Sequence, residues 1–408
     1  MNVDTVRKID YAVGVPLCFL ATGVQKLAGL FGLKPKPSPL KKVLLIELSE
    51  MGSAILVDPA MRWLKNEKKA ELYFAIFKRN KPSLDLLKTV PEANIFLIRD
   101  TGILPLAIDS LRFLFWTRKN KIDTVIDLEL FSRFTALLTG YSGAFRRVGF
   151  HAFHHEGLYR GEMLTHRVAY NPHIHIAKSF LALVHAAASD EKQVPFTKRY
   201  FSDAEVRLER LSFTDSDRAK MVERVRESAK EFNPSAHRLV LINPNASELL
   251  PQRRWMAENY ARLIQLILEA APDVWILITG APNESAGAEA LKRAVNNPRC
   301  VNFAGKTSLS ELTSLYDLCA FMVTNDSGPA HFASVTRMHT YVLFGPETPK
   351  LYGSLGPTTP ITAELACSPC VAATNHRKTV CTDPVCLKII TPEKVFQIVR
   401  PMLLEKRA

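Results

Sequence analysis

Most of the motifs that quickly assign an α/β chain are missing from this sequence. It has no G-x-x-x-x-G-K-[ST] phosphate loop, no G-x-G-x-x-G turn, no H-E-x-x-H pair and no G-x-S-x-G elbow. Those absences exclude the simplest NTPase, dehydrogenase, zinc-peptidase and esterase readings. Glycine (18) and proline (25) are not enriched, and there is no low-complexity tract or repeat of 20–50 residues, so collagen and solenoids are excluded. Acidic residues are the scarcer sign, 40 against 53 Lys and Arg, for a net charge of +13. A surplus of that size favours an acidic partner: nucleic acid, an anionic lipid surface or a phosphorylated substrate. What is present is ordinary globular material, 47% hydrophobic and 23% charged over 408 residues, enough for two domains.

One segment could touch a membrane. Tyr11 to Leu33 is apolar, but Gly14, Pro16, Gln25 and Lys26 interrupt it, and a spanning helix needs ~20 mainly apolar residues. Arg7 and Lys8 precede it, and Lys34, Lys36, Lys41 and Lys42 follow. That pattern suits a helix lying in the headgroup layer of an anionic leaflet. A plain packing helix and a cleaved signal peptide stand as alternatives, the latter weakened by Asp4 and Asp10 in its basic region.

Beyond the proline-rich linker Pro35–Pro39, strands and helices alternate. Val43–Leu48, Leu72–Phe77, Asn94–Ile98 and Thr124–Leu128 read as strands, with helices over Ala54–Leu64 and Ile103–Trp116 and one beginning at Arg133. A charged helical stretch from Asp203 to Phe232 breaks the pattern, which resumes with strands Leu239–Ile242, Val274–Thr279, Phe321–Thr324 and Tyr341–Phe344. This predicts βαβ units on parallel sheets. The expected division is an N-terminal segment and linker (1–40), a first α/β domain (41–200), a helical connector (201–236) and a second α/β domain (237–408). Ligands of open parallel sheets bind beyond the carboxyl ends of the strands.

Two constellations follow strands in the C-terminal half. Thr324-Asn-Asp-Ser-Gly-Pro-Ala-His331 runs from a strand through a Gly-Pro turn to a helix start, where backbone N–H groups converge and suit a diphosphate. Asp326 would there accept from sugar hydroxyls; the alternative is a capped turn with Asp326 or Ser327 as N-cap and His331 packed. Phe344-Gly-Pro-Glu-Thr-Pro349 is the second, with Gly345 permitting close backbone approach; by itself it reads rather as an ordinary turn.

With these segments the sequence resembles glycosyltransferase family 9, the ADP-heptose:lipopolysaccharide heptosyltransferases. The resemblance is carried by NPNASELLPQRRW (243–255), the TNDSGPAH box, LFGPETP (343–349) and the cysteine-rich segment before a terminal helix. VLLIELSEMGSAILVDPAM (43–61) and IDLELFSRFTALLTGYSGAFRRVGF (126–150) match more loosely. It implies an α/β fold of GT-B type, two Rossmann-like domains facing across a cleft. It implies inverting, metal-independent transfer of a heptose-like sugar from a nucleotide-sugar donor to a lipid-linked or cell-envelope glycan, with no cofactor needed for catalysis. It implies a cytoplasmic enzyme, peripheral on the inner face of the bacterial membrane. On the donor side it implies Asn245, Asp326, Ser327, Gly328, Pro329, His331 and Gly345, with Arg253 and Arg254 as candidates to neutralise phosphate. On the acceptor side it implies Ser49, Gly52, Ser53 and Arg133.

One departure falls at the expected base. The family pattern S-x-L/M-G-D reads here Ser49-Glu50-Met51-Gly52-Ser53, so a hydroxyl stands where the catalytic carboxylate belongs. Glu50 can supply the carboxylate from the same loop, or this branch uses another mechanism, or it has lost activity. Glu47 is expected in the strand and Asp58 one turn into the helix.

Cys367, Cys370, Cys381 and Cys386 form C-x2-C-x10-C-x4-C with His376 between, spacing that can hold a tetrahedral structural zinc; free thiols, a disulfide or an iron–sulfur role are the alternatives. Cys18, Cys300 and Cys319 sit in apolar surroundings and read as buried thiols. Two other classes remain open: a nucleic-acid binder, against which no binding motif is present and the basic residues are spread along the chain, and a non-catalytic nucleotide-sugar-binding scaffold.

Overall fold

The computed structural model describes residues 3–32, 37–130, 132–153, 159–190, 193–248, 250–373 and 378–404, without the side chains of 3–6. Leu33, Lys34, Pro35 and Lys36 of the basic linker, Phe131 and Leu249 of the quoted motifs, and His376 lie outside the described residues. The chain forms two compact units, Met1–Val206 and Arg207–Ala408.

In the first unit six strands, β1 (Lys42–Ile46), β2 (Glu71–Phe77), β3 (Ile95–Ile98), β4 (Thr124–Asp127), β5 (Arg146–His151) and β6 (His166–Ala169), form a sheet in the order β3-β2-β1-β4-β5-β6. Every pairing is parallel, with Leu45 opposite Phe74 on one side and Ile126 on the other. Parallel strands are covered on both faces, which is why β1 reads KVLLI without alternation. The helices are α1 (Val3–Ala12), α2 (Gly14–Leu30), α3 (Met51–Leu56), α4 (Asp58–Glu67), α5 (Pro82–Leu87), α6 (Ile103–Lys119), α7 (Arg133–Tyr141) and α8 (Ile176–Ala187). Leu44, Ile46, Tyr73 and Val125 pack one sheet face against Phe113 of α6 and Leu138 of α7.

The second unit repeats the design. Strands β7 (Arg238–Asn243), β8 (Val274–Ile278), β9 (Cys300–Asn302), β10 (Cys319–Asn325), β11 (His339–Leu343) and β12 (Thr358–Ile361) pair in the order β12-β11-β10-β7-β8-β9, all parallel. Its helices are α9 (Asp215–Arg226), α10 (Ala257–Ala270), α11 (Ser285–Val295), α12 (Leu309–Leu318), α13 (Gly328–Ala333), α14 (Pro349–Tyr352), α15 (Val385–Lys388) and α16 (Pro392–Leu404). α10 buries Tyr260, Leu263, Ile264 and Ile267, the i, i+3, i+4, i+7 stripe of a core-facing helix.

The stretch 201–236, read from its charge as a separate helical connector, does not stand alone. Its only α-helix is α9, started by a Thr214/Asp217 capping box and tied to α12 by Arg218–Asp317 at 2.8 Å. The N-terminal segment is likewise part of the first unit, since α1 and α2 both pack on α7.

Candidate active site

In both sheets the chain starts in the middle and winds outward in opposite directions, so each has a switch point where neighbouring loops diverge and open a crevice. In the first unit it lies between β1 and β4, in the second between β7 and β10. Most of the polar residues singled out from the sequence gather at these two places; Arg133 and Arg254 do not.

At the first, β1 runs into the loop 47–50 and then α3. Glu50 is the N-cap residue of α3, with extended backbone, and its Oε2 accepts from Ser53 Oγ at 3.2 Å. Ser53 thus holds the candidate carboxylate one helical turn away. Asn80 donates to Leu48 O at 2.7 Å from one side. From the other side Glu129, just past β4, accepts from Leu48 N (2.9 Å), Ser49 N (3.0 Å) and Ser49 Oγ (3.2 Å). Burial, with the Asp127 and Glu50 charges alongside, pushes the Glu129 carboxyl above the usual carboxylate range, against the pull of those hydrogen bonds. Arg160 braces this corner by donating to Asp127 and to Glu129 O. Ser49, Glu50, Gly52 and Ser53 therefore form one group, and Glu129 is the member that motif reading missed. Its signal was a carboxylate two residues past the end of β4, close to the position that Asp326 takes directly after β10 in the second unit.

Three residues read as site candidates or alternatives are used elsewhere. Glu47 follows the end of β1 and its N–H donates to Ala75 O, continuing the ladder. Asp58 opens α4 and is buried, accepting from Arg62 Nε at 2.6 Å and from Thr89 Oγ1. Arg133 is not on an open acceptor side. It is 2% exposed, its Nη1 donates to Asp10 at 3.2 Å, and its guanidinium lies over the Tyr11 ring. The reason is local: the Asp10 carboxylate also takes the N–H groups of Arg133 and Phe134 at the start of α7, drawing the side chain under α1.

At the second switch point Asn325, fully buried, fastens three segments. Its Oδ1 accepts from Trp255 N (3.0 Å) and Tyr260 OH (3.1 Å), and its Nδ2 donates to Pro244 O (2.8 Å). This places the N-P-N loop and the 251–255 turn beside Asp326. Arg253 then bridges two buried carboxylates, with Nε 3.4 Å from Asp326 and Nη2 3.8 Å from Glu347. Glu347 belongs to the GPETP loop, so both strand-end motifs meet at one guanidinium. The Asn245 side chain lies over Gly280, where a Cβ would sit 2.8 Å from Asn245 Nδ2.

Ser327 occupies the N-cap position of α13 without a side-chain cap bond; its hydroxyl donates to Asn325 O. Gly328 and Pro329 open α13 and His331 is buried in it. Arg254 does not join Arg253: it donates to Ala246 O and pairs with Glu248 at 2.5 Å. Gly345 does admit a close approach, but by Leu387: a Cβ there would lie 2.8 Å from Leu387 Cγ. The cysteine-rich segment supplies that side chain and braces the loop further, through Cys370 N to Pro346 O (3.0 Å) and Gln252 Nε2 to Cys381 O (3.0 Å). Among the described residues no three His, Cys, Asp or Glu side chains are placed to hold a metal ion. Cys367, Cys370 and Cys381 lie near enough to Cys386 to raise its thiol pKa, secondary to its burial, yet they do not form a ligand set.

The family model described as glycosyltransferase family 9 (heptosyltransferase) matches residues 116–380. The lipooligosaccharide heptosyltransferase 2 of Haemophilus influenzae is 35% identical over 106 residues, 26% of this chain and 30% of that protein. The Campylobacter jejuni lipooligosaccharide heptosyltransferase 2 is 28% identical over 177 residues, 40% of this chain and 50% of the relative. The chain thus spans about a third to a half of the length of these curated relatives. The solved structure of Escherichia coli ADP-heptose LPS heptosyltransferase II superposes with a TM-score of 0.67 at 19% identity, over 89% of this chain and 98% of that one. That likeness shows the fold, GT-B with two Rossmann-like domains.

Proposed function

This chain belongs to glycosyltransferase family 9, and on that premise we propose that it transfers a heptose-like sugar from a nucleotide diphosphate donor to a lipid-linked glycan of the cell envelope. The observation that carries the reading is the pair of switch points, each holding a carboxylate group at the ends of parallel strands. ADP-heptose, after which the superposed Escherichia coli enzyme is named, is the first donor to test.

In this reading the second unit binds the donor. Arg253 faces the diphosphate and holds its developing charge as the bond to the sugar breaks. Asp326 and Glu347 accept hydrogen bonds from sugar hydroxyls. In the first unit Glu50 takes the proton of the attacking acceptor hydroxyl, so the reaction inverts the anomeric centre in one displacement and uses no metal. Ser53 orients Glu50, and Glu129 fixes the loop that carries it.

The N-terminal helices serve localisation. The stretch Arg7–Leu30 is, by length and composition, apolar enough to cross a membrane, with mean hydropathy 1.4. Folded, it leaves most of its large apolar side chains outside the unit. α2 buries Cys18, Ala21 and Thr22 and leaves Phe19 at 69% and Leu30 at 81% exposure. Such a helix fits the interfacial layer of the cytoplasmic leaflet, where lipid-linked acceptors are met. The second reading, a non-catalytic nucleotide-sugar binder, is favoured by Ser53 alone.

A panel of nucleotide sugars scored by thermal shift tests the donor side, since a bound donor raises the melting temperature by mass action. Release of nucleoside diphosphate on adding truncated lipopolysaccharide acceptor then separates enzyme from binder. No stabilisation by any nucleotide sugar removes the reading.

A further inference from the structure

Helix α6 carries a feature that its packing on the sheet does not explain. Its inner side packs Phe113, and beside it Leu106, Leu114 and Trp116, against the β1–β4 face. Its outer side shows Leu104, Ile108, Leu111 and Phe115, spaced i, i+4, i+7, i+11 on one stripe, with Leu104, Leu111 and Phe115 each exposed by 71–75%. A surface helix normally turns polar residues outward along such a stripe, and soluble monomers rarely expose contiguous apolar patches of this kind.

We propose that this α6 stripe is a second lipid-contacting element, which together with α2 lays one whole helical layer of the first unit on an anionic bilayer. The inference deepens the membrane reading of α1–α2 and rests on it. α2 and α6 both pack on α7. At the end of α7, Gln25 of α2 donates to Gly140 O at 2.7 Å and Arg118 of α6 donates to Tyr141 O at 2.8 Å. The two helices that carry the apolar faces thus border the same short helix.

Charge selects lipid over a second apolar protein face. The only carboxylate on α6, Asp109, is turned inward at 3% exposure and held by Arg99 at 2.8 Å. The exposed charged residues of α6 are Arg112, Arg118 and Lys119, followed by Lys121. On the other helices of the layer Lys8 and Lys26 are exposed as well. An apolar stripe rimmed by cations is the pattern that inserts side chains below the headgroups while pairing with anionic phosphates. Two contact elements also fix orientation, where one helix would leave the unit free to swivel. The layer lies on the unit whose loop 47–50 holds Glu50, so the acceptor-side crevice is kept at a constant tilt over the surface.

The test uses the full chain and sedimenting vesicles of phosphatidylethanolamine with phosphatidylglycerol. The triple variant Leu104→Ser, Leu111→Ser, Phe115→Ser alters only exposed positions and should keep the melting temperature. Its vesicle partition should fall by at least about a hundred-fold, since full burial of three large apolar side chains is worth roughly a thousand-fold or more. Independently, the indole introduced by Phe115→Trp should be quenched by brominated acyl chains more than the native tryptophans are. If Phe19→Ser with Leu20→Ser releases the protein while the α6 triple variant stays bound and the introduced indole is unquenched, the α6 proposal fails and the α2 reading stands. If the native chain ignores the vesicles, both fail. A native dimer that the α6 variant dissolves into monomers, with vesicle binding unchanged, assigns the stripe to a second copy and overturns the proposal.

Discussion

Replacing Glu50 by Gln keeps the side chain's shape and its contact with Ser53 while removing the only proton acceptor on the turn between Ser49 and Ser53. If Glu50 is the base, turnover should fall by ~10²–10⁴, the usual share of general-base catalysis, with donor affinity unchanged because Arg253, Asp326 and Glu347 lie on the other unit. The control is Glu129, a carboxylate in the same corner. Glu129→Gln can keep both backbone hydrogen bonds from Leu48 and Ser49 through its carbonyl and offer its NH2 to Ser49 Oγ. The loop should hold, and turnover should change far less than in Glu50→Gln. Glu129→Ala instead loses three hydrogen bonds, at roughly 0.5–1.5 kcal/mol each, and should weaken the unit and slow turnover together.

The sign of the Glu129 effect on stability can also be fixed. Its folded pKa is raised, by burial first, so as pH rises from below about 4.3, the unfolded value, the unfolded chain loses the proton first. Stability is therefore lost as pH climbs toward the folded pKa and stays reduced above it. Glu129→Gln should melt higher than the native chain at neutral pH, and the gap should close in acid. The assay is nucleoside diphosphate release with donor and acceptor present, alongside melting curves across pH. Full transfer by Glu50→Gln together with a dead Glu129→Gln would refute the assignment and make Glu129 the base.

Three further outcomes follow from the geometry. Arg253→Ala leaves Asp326 and Glu347 without the guanidinium between them; nucleoside diphosphate affinity by calorimetry should drop by about ten-fold or more, the scale of a lost charge-assisted contact, whereas Arg254→Ala should bind nearly as the native chain does. Gly345→Ala drives a methyl toward Leu387 and should cost ~1–3 kcal/mol by denaturant titration. His185, pushed down to about 4 by burial and then by Arg199, is neutral at pH 7. The unfolded chain takes up the proton first as pH falls from about 6.5 to 4, so stability is lost through that window, and His185→Gln should flatten the melting curve against pH there.

The parts of the fold legible in the sequence were those whose cause is local. β1, β4, β7, β8, β10 and β11 announce themselves as apolar runs because both their faces are covered. β5, β6, β9 and β12 do not: RRVGFH, HRVA, CVN and TTPI are short or polar, and only pairing with an existing neighbour makes them strands. The site divides the same way. Asp326 was legible because motif and strand end coincide within a few residues. Glu129 was not, because its role depends on β1 lying beside β4 and its partners Leu48 and Ser49 are 81 and 80 residues away. Long cations were the least legible. Arg253 and Arg254 are neighbours, yet one reaches the Asp326–Glu347 pair and the other turns to Glu248.

Gly345 shows why a correct local reading can still point to the wrong partner. The motif requires a residue without a side chain, and the requirement is real, but the atom filling the space is Leu387 rather than a ligand. That substitution of partner makes the cysteine-rich segment a brace for the loop. It wedges Leu387 against the GPETP loop, donates Cys370 N to Pro346 O and accepts from Gln252 at Cys381 O. Gln252 adjoins Arg253, and Pro346 adjoins Glu347, so both ends of the Arg253–Glu347 contact are braced from the same side. A disturbance of this segment should therefore reach donor affinity through Arg253 and Glu347 without touching either residue.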